Sequence, residues 1–209
     1  PILIEWGPVI IPSFGFFLAV GFLVGSFVLW RRLKDDYEEE DLLTLSLVVG
    51  LWGLIGARIV AVAFDWGRFG TDWLKWLSLV RSPGLSFFGA VAGVLLGTLV
   101  FVMRHKWRFW EVWEGVVEGG LWVIAFGSIG AFLSSSLAGA QTNIAWGIET
   151  LGMSGRRHPL ALYWLTTSLI VLLITALVRR IYRKFRWYPS GRVGFVGLFA
   201  CWLFSLALF

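Results

Sequence analysis

Six apolar runs, at about 9–30, 42–64, 85–103, 115–137, 159–178 and 193–209, take up most of this 209-residue chain. A membrane-crossing helix needs about 20 such residues, so every run is long enough to span, the last only just. In hydrocarbon a backbone must satisfy its own hydrogen bonds, which leaves helices or closed barrels. The alternating segments of about ten residues that a barrel needs are absent. The chain is therefore expected to be an all-α, polytopic transmembrane helix bundle of about six spans, one transmembrane domain over 1–209.

Composition agrees. Apolar residues make up 58% and charged residues 15%, against roughly 45–50% and 25% in a soluble domain, and mean hydropathy is +0.79. The net charge of +5 is no nucleic-acid footprint, because the basic residues fall in short clusters between apolar runs instead of on one face. Those clusters set orientation. With the N-terminus outside, the cytoplasmic loops hold Arg31, Arg32, Lys34, Arg104, Lys106, Arg108, Arg179, Arg180, Arg183, Lys184, Arg186 and Arg192. The external loops hold Arg68, Lys75, Arg81, Arg156 and Arg157. Twelve against five favours N-terminus out. The acidic run Asp35 to Asp41 reads as a solvated start to the second span, with its acids near the positive end of the helix dipole.

Of fourteen tryptophans, Trp6, Trp30, Trp66, Trp73, Trp76, Trp107, Trp110, Trp113 and Trp187 fall near span ends, where an amphipathic ring suits the headgroup level. Trp66, Phe69, Trp73, Trp76 or Leu77, and Val80 recur at helical spacing, so 65–82 is a candidate interfacial helix on the outer leaflet. Gly21 and Gly25, Gly115 and Gly119, and Gly89, Gly93 and Gly97 are each four apart, with a looser stripe at Gly50, Gly53 and Gly56. Such spacing lets helix backbones approach closely. The single cysteine, Cys201, lies in an apolar run and reads as an inert thiol. The segment 1–6 lacks the basic start of a cleavable signal peptide.

Ionisable groups at bilayer depth are costly and therefore functional candidates. Arg58 lies deep in the second span and Glu118 begins the fourth; the two could form an ion pair, or Arg58 could hold a lipid phosphate. His105 stands in a basic loop and is expected to be solvated. Arg157-His158-Pro159 opens the fifth span, where proline suits a first helical turn and an anionic headgroup would offset the cations. The external loop 134–157 is long for a compact bundle and has no Cys or His cluster, so no metal or cofactor is expected.

In order along the chain, these landmarks resemble the prolipoprotein diacylglyceryl transferase family. The opening span, from Ile4-Glu5-Trp6-Gly7-Pro8-Val9 through Phe14-Gly15 and Val20-Gly21-Phe22, is similar to that family's first helix. Gly56-Ala57-Arg58-Ile59 resembles its Gly-Gly-Arg-Ile, and Leu85-Ser86-Phe87-Phe88-Gly89 its Ser-Phe-His-Gly-Gly. Arg157-His158-Pro159 followed by Leu162-Tyr163 matches part of its Arg-His-Pro-Ser-Gln-Leu-Tyr-Glu. The resemblance implies the family's membrane fold lacking its last helix, since the chain ends where a seventh span would begin. It also implies a multi-pass place in a bacterial inner membrane and a phosphatidylglycerol-like lipid partner. The family's reaction moves a diacylglyceryl group from phosphatidylglycerol to a lipoprotein cysteine.

The reactive positions depart from the pattern. The family's essential histidine aligns with Phe88 and its first-span tyrosine with Phe14. Its signature arginine, asparagines and glutamate align with Phe132, Ser135, Ala138 and Ala140, and its late arginine and glutamate with Ser205 and Phe209. In the fifth span its serine, glutamine and glutamate become Leu160, Ala161 and Trp164. Arg58, Arg157, His158, Pro159 and Tyr163 survive, with Glu118 where the family tends to have aspartate. A positioned base contributes roughly 10²–10⁴-fold and charge stabilisation usually more, so these replacements remove both. The expected function is a non-catalytic lipid-binding scaffold or accessory subunit of a larger membrane complex. The competing reading is an active lipid transferase using Arg58, Arg157 and His158. A transporter fits poorly, because its path needs several intramembrane polar groups or broken helices.

Overall fold

A computed structural model describes residues 2–6, 9–77, 84–149, 154–182 and 194–207. Gly7, Pro8, Val80, Arg81, Arg183, Lys184, Arg186, Trp187, Arg192 and Phe209, all named above, lie outside the described residues. Strand β1 (Ile2–Trp6) pairs antiparallel with β2 (Val9–Pro12). There follow helices α1 (Ser13–Leu33), α2 (Glu39–Phe64), α3 (Trp66–Phe69), α4 (Trp73–Leu77), α5 (Phe87–His105) and α6 (Phe109–Ser134). A second small antiparallel pair, β3 (Ile148–Glu149) and β4 (Arg156–Arg157), precedes α7 (Leu160–Tyr182) and α8 (Phe195–Ala207). The fold is all-α as expected. Helices α1, α2, α5, α6 and α7 are long and apolar enough to cross a membrane, and α8 is a shorter apolar helix of 13 described residues.

Element boundaries depart from the apolar runs for local reasons. The first run was expected to be helical from residue 9, but Val9–Pro12 is strand. Three β-branched residues favour the extended backbone, and Pro12 lacks the N–H an interior helical turn requires. In α2 the first turn reaches back to include Glu39, Glu40 and Asp41, carboxylates set at the positive end of the dipole. Ser86 caps α5, its hydroxyl accepting from the Gly89 N–H at 3.3 Å. Of the interfacial helix expected over 65–82, the described part, 65–77, holds two short helices, and 78–82 lie outside the described residues. Gly70, at φ +55°, ψ −146°, ends the first in a conformation that L side chains rarely adopt.

The chain forms two compact units, Pro1–Arg32 with Trp113–Phe209, and Leu33–Val112. In the first, α1 crosses α6 at glycine. A Cβ on Gly25 would sit 2.6 Å from the Gly119 carbonyl oxygen, and one on Gly119 would sit 2.7 Å from that of Gly25. The two backbones touch directly, the use expected of this spacing. In the second unit α2 and α5 meet in the same way, with a Cβ on Gly56 2.9 Å from the Gly93 Cα and one on Gly89 2.7 Å from the Val60 Cβ. Leu42 and Leu45 of α2 are fully buried, whereas Leu43, Leu47, Leu51 and Phe64 (89% exposed) face outward. Large apolar residues this exposed suit a hydrocarbon solvent.

Candidate functional site

The loop between α6 and α7, in the first unit, is built around a short strand, β4. Gly139 N–H donates to the His158 carbonyl (3.0 Å), His158 N–H to the Ala140 carbonyl (3.1 Å), and Thr142 N–H to the Arg156 carbonyl (2.8 Å). On the other side Ile148 pairs with Arg157 and Glu149 with Arg156. Arg156 and Arg157 are held on both edges and His158 on one, and Pro159 then leads directly into α7. Gly139 is fixed by close approach, since a Cβ there would lie 2.7 Å from both the Cβ and the carbonyl oxygen of His158.

That frame brings the retained His158 and Tyr163 together and ties the retained Arg157 to the facing segment. Arg157 Nη1 donates to the Gly139 carbonyl at 3.1 Å, while its Nε is buried with no hydrogen-bond partner among the described residues. A buried guanidinium N–H without an acceptor is costly, and an anion would relieve it. His158 Nδ1 lies 3.2 Å from the Tyr163 hydroxyl, one helical turn on. The same hydroxyl accepts a hydrogen bond from Trp146 Nε1 at 2.9 Å. Trp146 was not singled out from the sequence. Its one visible signal is a tryptophan in the middle of a long loop, away from any span end.

The aligned reactive positions carry other chemistry. Ala140 stands in backbone register with His158, so a methyl group occupies the place where the resemblance would set a carboxylate. Ser135 adopts φ 54° where α6 ends, its N–H donating to the Phe132 carbonyl at 3.1 Å. Phe132 is exposed. Phe14 lies in the first turn of α1, its Cα 2.9 Å from where a Cβ on Gly130 would sit. Trp164 packs edge-on against Phe204 of α8 at 6.1 Å, and Ala161 is buried. Ser205 turns its hydroxyl back onto the Cys201 carbonyl at 2.8 Å, an ordinary bond within a helix.

Glu118 belongs to a separate charge cluster in the same unit. The sequence set it opposite Arg58, but its described ion pairs are with Arg179 and, at 3.6 Å, Arg32. Arg32 and Arg179 end α1 and α7, so a carboxylate on α6 meets the cations of two neighbouring last turns. Glu114, one turn before Glu118, was missed. Only 7% exposed, it accepts from Arg32 Nη2 (2.7 Å) at one oxygen and from the Gly194 (2.7 Å) and Val196 (3.2 Å) N–H groups at the other. Its four-residue spacing from Glu118 was the available signal.

In the second unit Arg58 grips backbone. Its Nε donates to the Trp76 carbonyl (2.7 Å), Nη1 to that of Gly84 (2.8 Å), and Nη2 to that of Lys75, while its guanidinium lies 4.7 Å over the Phe69 ring. These bonds fasten the last turn of α4 and the approach to α5 onto α2. They give Arg58 a role as a structural clamp; the lipid phosphate that the sequence also allowed is not tested by these bonds. Phe88, in the first turn of α5, is 77% exposed.

Comparison with known proteins agrees with this architecture. The chain is 29% identical over 178 residues to the phosphatidylglycerol–prolipoprotein diacylglyceryl transferase of Chromohalobacter salexigens, covering 83% of this chain and 66% of that protein. It is 28% identical over 165 residues to the protein of that name from Clostridioides difficile, covering 77% and 65%. With the one from Trichormus variabilis it shares 28% over 205 residues, covering 93% and 71%. The chain thus spans about two thirds of the length of these curated relatives. The family model described as prolipoprotein diacylglyceryl transferase matches residues 1–208, and the chain belongs to that family.

Proposed function

We propose that this chain is a non-catalytic member of its family, which holds a phosphatidylglycerol-like phospholipid at Arg157, His158 and Tyr163 and serves a larger membrane assembly as a lipid-binding subunit. Its place is the inner membrane of a bacterium, with the N-terminus and the loop 135–159 outside. The observation that supports the reading is the backbone register of Ala140 against His158: where the resemblance would set a carboxylate, this chain has a methyl group. Diacylglyceryl transfer joins the thiol sulfur to the glyceryl carbon as that carbon's bond to the phosphate oxygen breaks, so it needs a base for the thiol and cations for the departing phosphate. Phe88, Phe132 and Ala140 offer neither, whereas Arg157 keeps an Nε–H with no hydrogen-bond partner among the described residues, a donor suited to a phosphate oxygen.

The test is native mass spectrometry after gentle detergent extraction. Bound phosphatidylglycerol, lost on Arg157→Ala, together with co-purifying membrane subunits, is the expected result. A lone, lipid-free protein would overturn it.

A further inference from the structure

We propose that Trp146 is a positioning residue that fixes His158 as the Nε2–H tautomer, making the imidazole a hydrogen-bond donor to an anionic phosphodiester instead of a base. The argument is one of donors and acceptors. An indole N–H only donates, so in the Trp146–Tyr163 bond the Tyr163 hydroxyl must accept. Its own hydrogen is then free to point at His158 Nδ1, its other hydrogen-bond neighbour among the described residues, at 3.2 Å. Nδ1 therefore accepts, and in the neutral ring the proton sits on Nε2. A bond that donates into the hydroxyl also polarises it and strengthens its donation onward.

This has a chemical consequence. The lone pair that could take a thiol proton is already engaged by Tyr163, and Nε2 carries a hydrogen. Beside Arg157, His158 thus offers one more N–H to an acceptor-rich group such as a phosphodiester. The identity of that acceptor rests on the phospholipid reading above; the tautomer does not.

The chain has two histidines, which makes the test clean. His105 Nδ1 lies 3.0 Å from the Phe101 carbonyl oxygen, which can only accept, so His105 carries the opposite tautomer, Nδ1–H. Nitrogen-15 spectra of histidine-labelled protein in phosphatidylcholine nanodiscs, assigned with His105→Gln, should therefore show one ring of each kind. Trp146→Phe should turn the His158 ring into a tautomer mixture while the His105 signal, the internal control for folding, stays in place. Adding phosphatidylglycerol should shift the Nε2–H signal of His158 in the wild type, and Trp146→Phe should weaken that response by about five- to tenfold, the loss of one hydrogen bond. An Nδ1–H tautomer at His158, or one unchanged by both Trp146→Phe and Tyr163→Phe, overturns the proposal. If Trp146→Phe disturbs the His105 signal, the wild-type tautomer and Tyr163→Phe decide the matter. A fixed Nε2–H ring that ignores phosphatidylglycerol contradicts the phospholipid reading and leaves the role of Trp146 standing.

Discussion

The carboxylate of Glu114 accepts the backbone N–H of Gly194 at 2.7 Å and so holds the start of α8 against α6. Its second oxygen binds Arg32 at 2.7 Å, making one buried side chain both a helix cap and half of an ion pair. Removing Glu114 leaves the Gly194 and Val196 N–H groups without this acceptor and Arg32 with its longer pair to Glu118. Glu114→Ala is expected to cost about 2–4 kcal/mol. Glu114→Gln, which keeps an oxygen for the α8 N–H groups, should cost less, about 1–3 kcal/mol. Thermal unfolding in detergent gives the ranking.

Arg58 should behave as a clamp on backbone. Its three described bonds go to carbonyls of Lys75, Trp76 and Gly84, at the end of α4 and before α5. Arg58→Lys cannot reproduce a planar fork. Hydrogen exchange should quicken by about tenfold or more in 66–77 and 84–86 in both Arg58→Lys and Arg58→Ala, the loss of one or more bonds to a charged donor. Phospholipid retention should hold.

Neighbouring glycines of α6 should respond in opposite directions. A Cβ on Gly119 would press on the Gly25 carbonyl at 2.7 Å, whereas one on Gly120 meets nothing within 4 Å. Gly119→Ala is expected to cost about 1–3 kcal/mol through overpacking. Gly120→Ala should be neutral or stabilise by up to about 1 kcal/mol, because alanine loses less backbone freedom in a helix. Unfolding of the two variants side by side checks this.

Tyr37, in the turn between α1 and α2, is partly buried and donates to Glu111 Oε2 at 2.9 Å. Burial first, and then that bond, holds its phenol above the usual tyrosine value. A raised folded-state value means that the stabilisation is fully present below the unfolded value, near pH 10, and is lost as pH rises through the folded one. Absorbance titration of wild type minus Tyr37→Phe should show this phenol ionising later than free tyrosine. A difference curve at the free value would contradict the arrangement.

The spans were legible because apolar length alone reports a membrane helix, whatever the helices pack against. The strand at Val9–Pro12 was not, since an apolar run carries the same hydropathy as strand or helix and only Pro12 hinted at the break. The tryptophan periodicity of 65–82 ran across Gly70, whose positive φ ends the helix. Glu118 stood out as an intramembrane charge, but its partners Arg32 and Arg179 come from helices distant in sequence, and spacing within one helix cannot name them. Likewise, Arg157, His158 and Tyr163 were found from a short motif. Trp146, which completes their hydrogen bonds, lies ten or more residues away across a loop whose path no local pattern dictates.

We propose a family fold that holds phospholipid without transferring its diacylglyceryl group. The most direct measurement is transfer from labelled phosphatidylglycerol to a cysteine-bearing lipobox peptide, with purified protein in nanodiscs. No transfer above the protein-free background is predicted, with phosphatidylglycerol still retained. Robust turnover that disappears on His158→Ala would contradict the account and make this chain an enzyme.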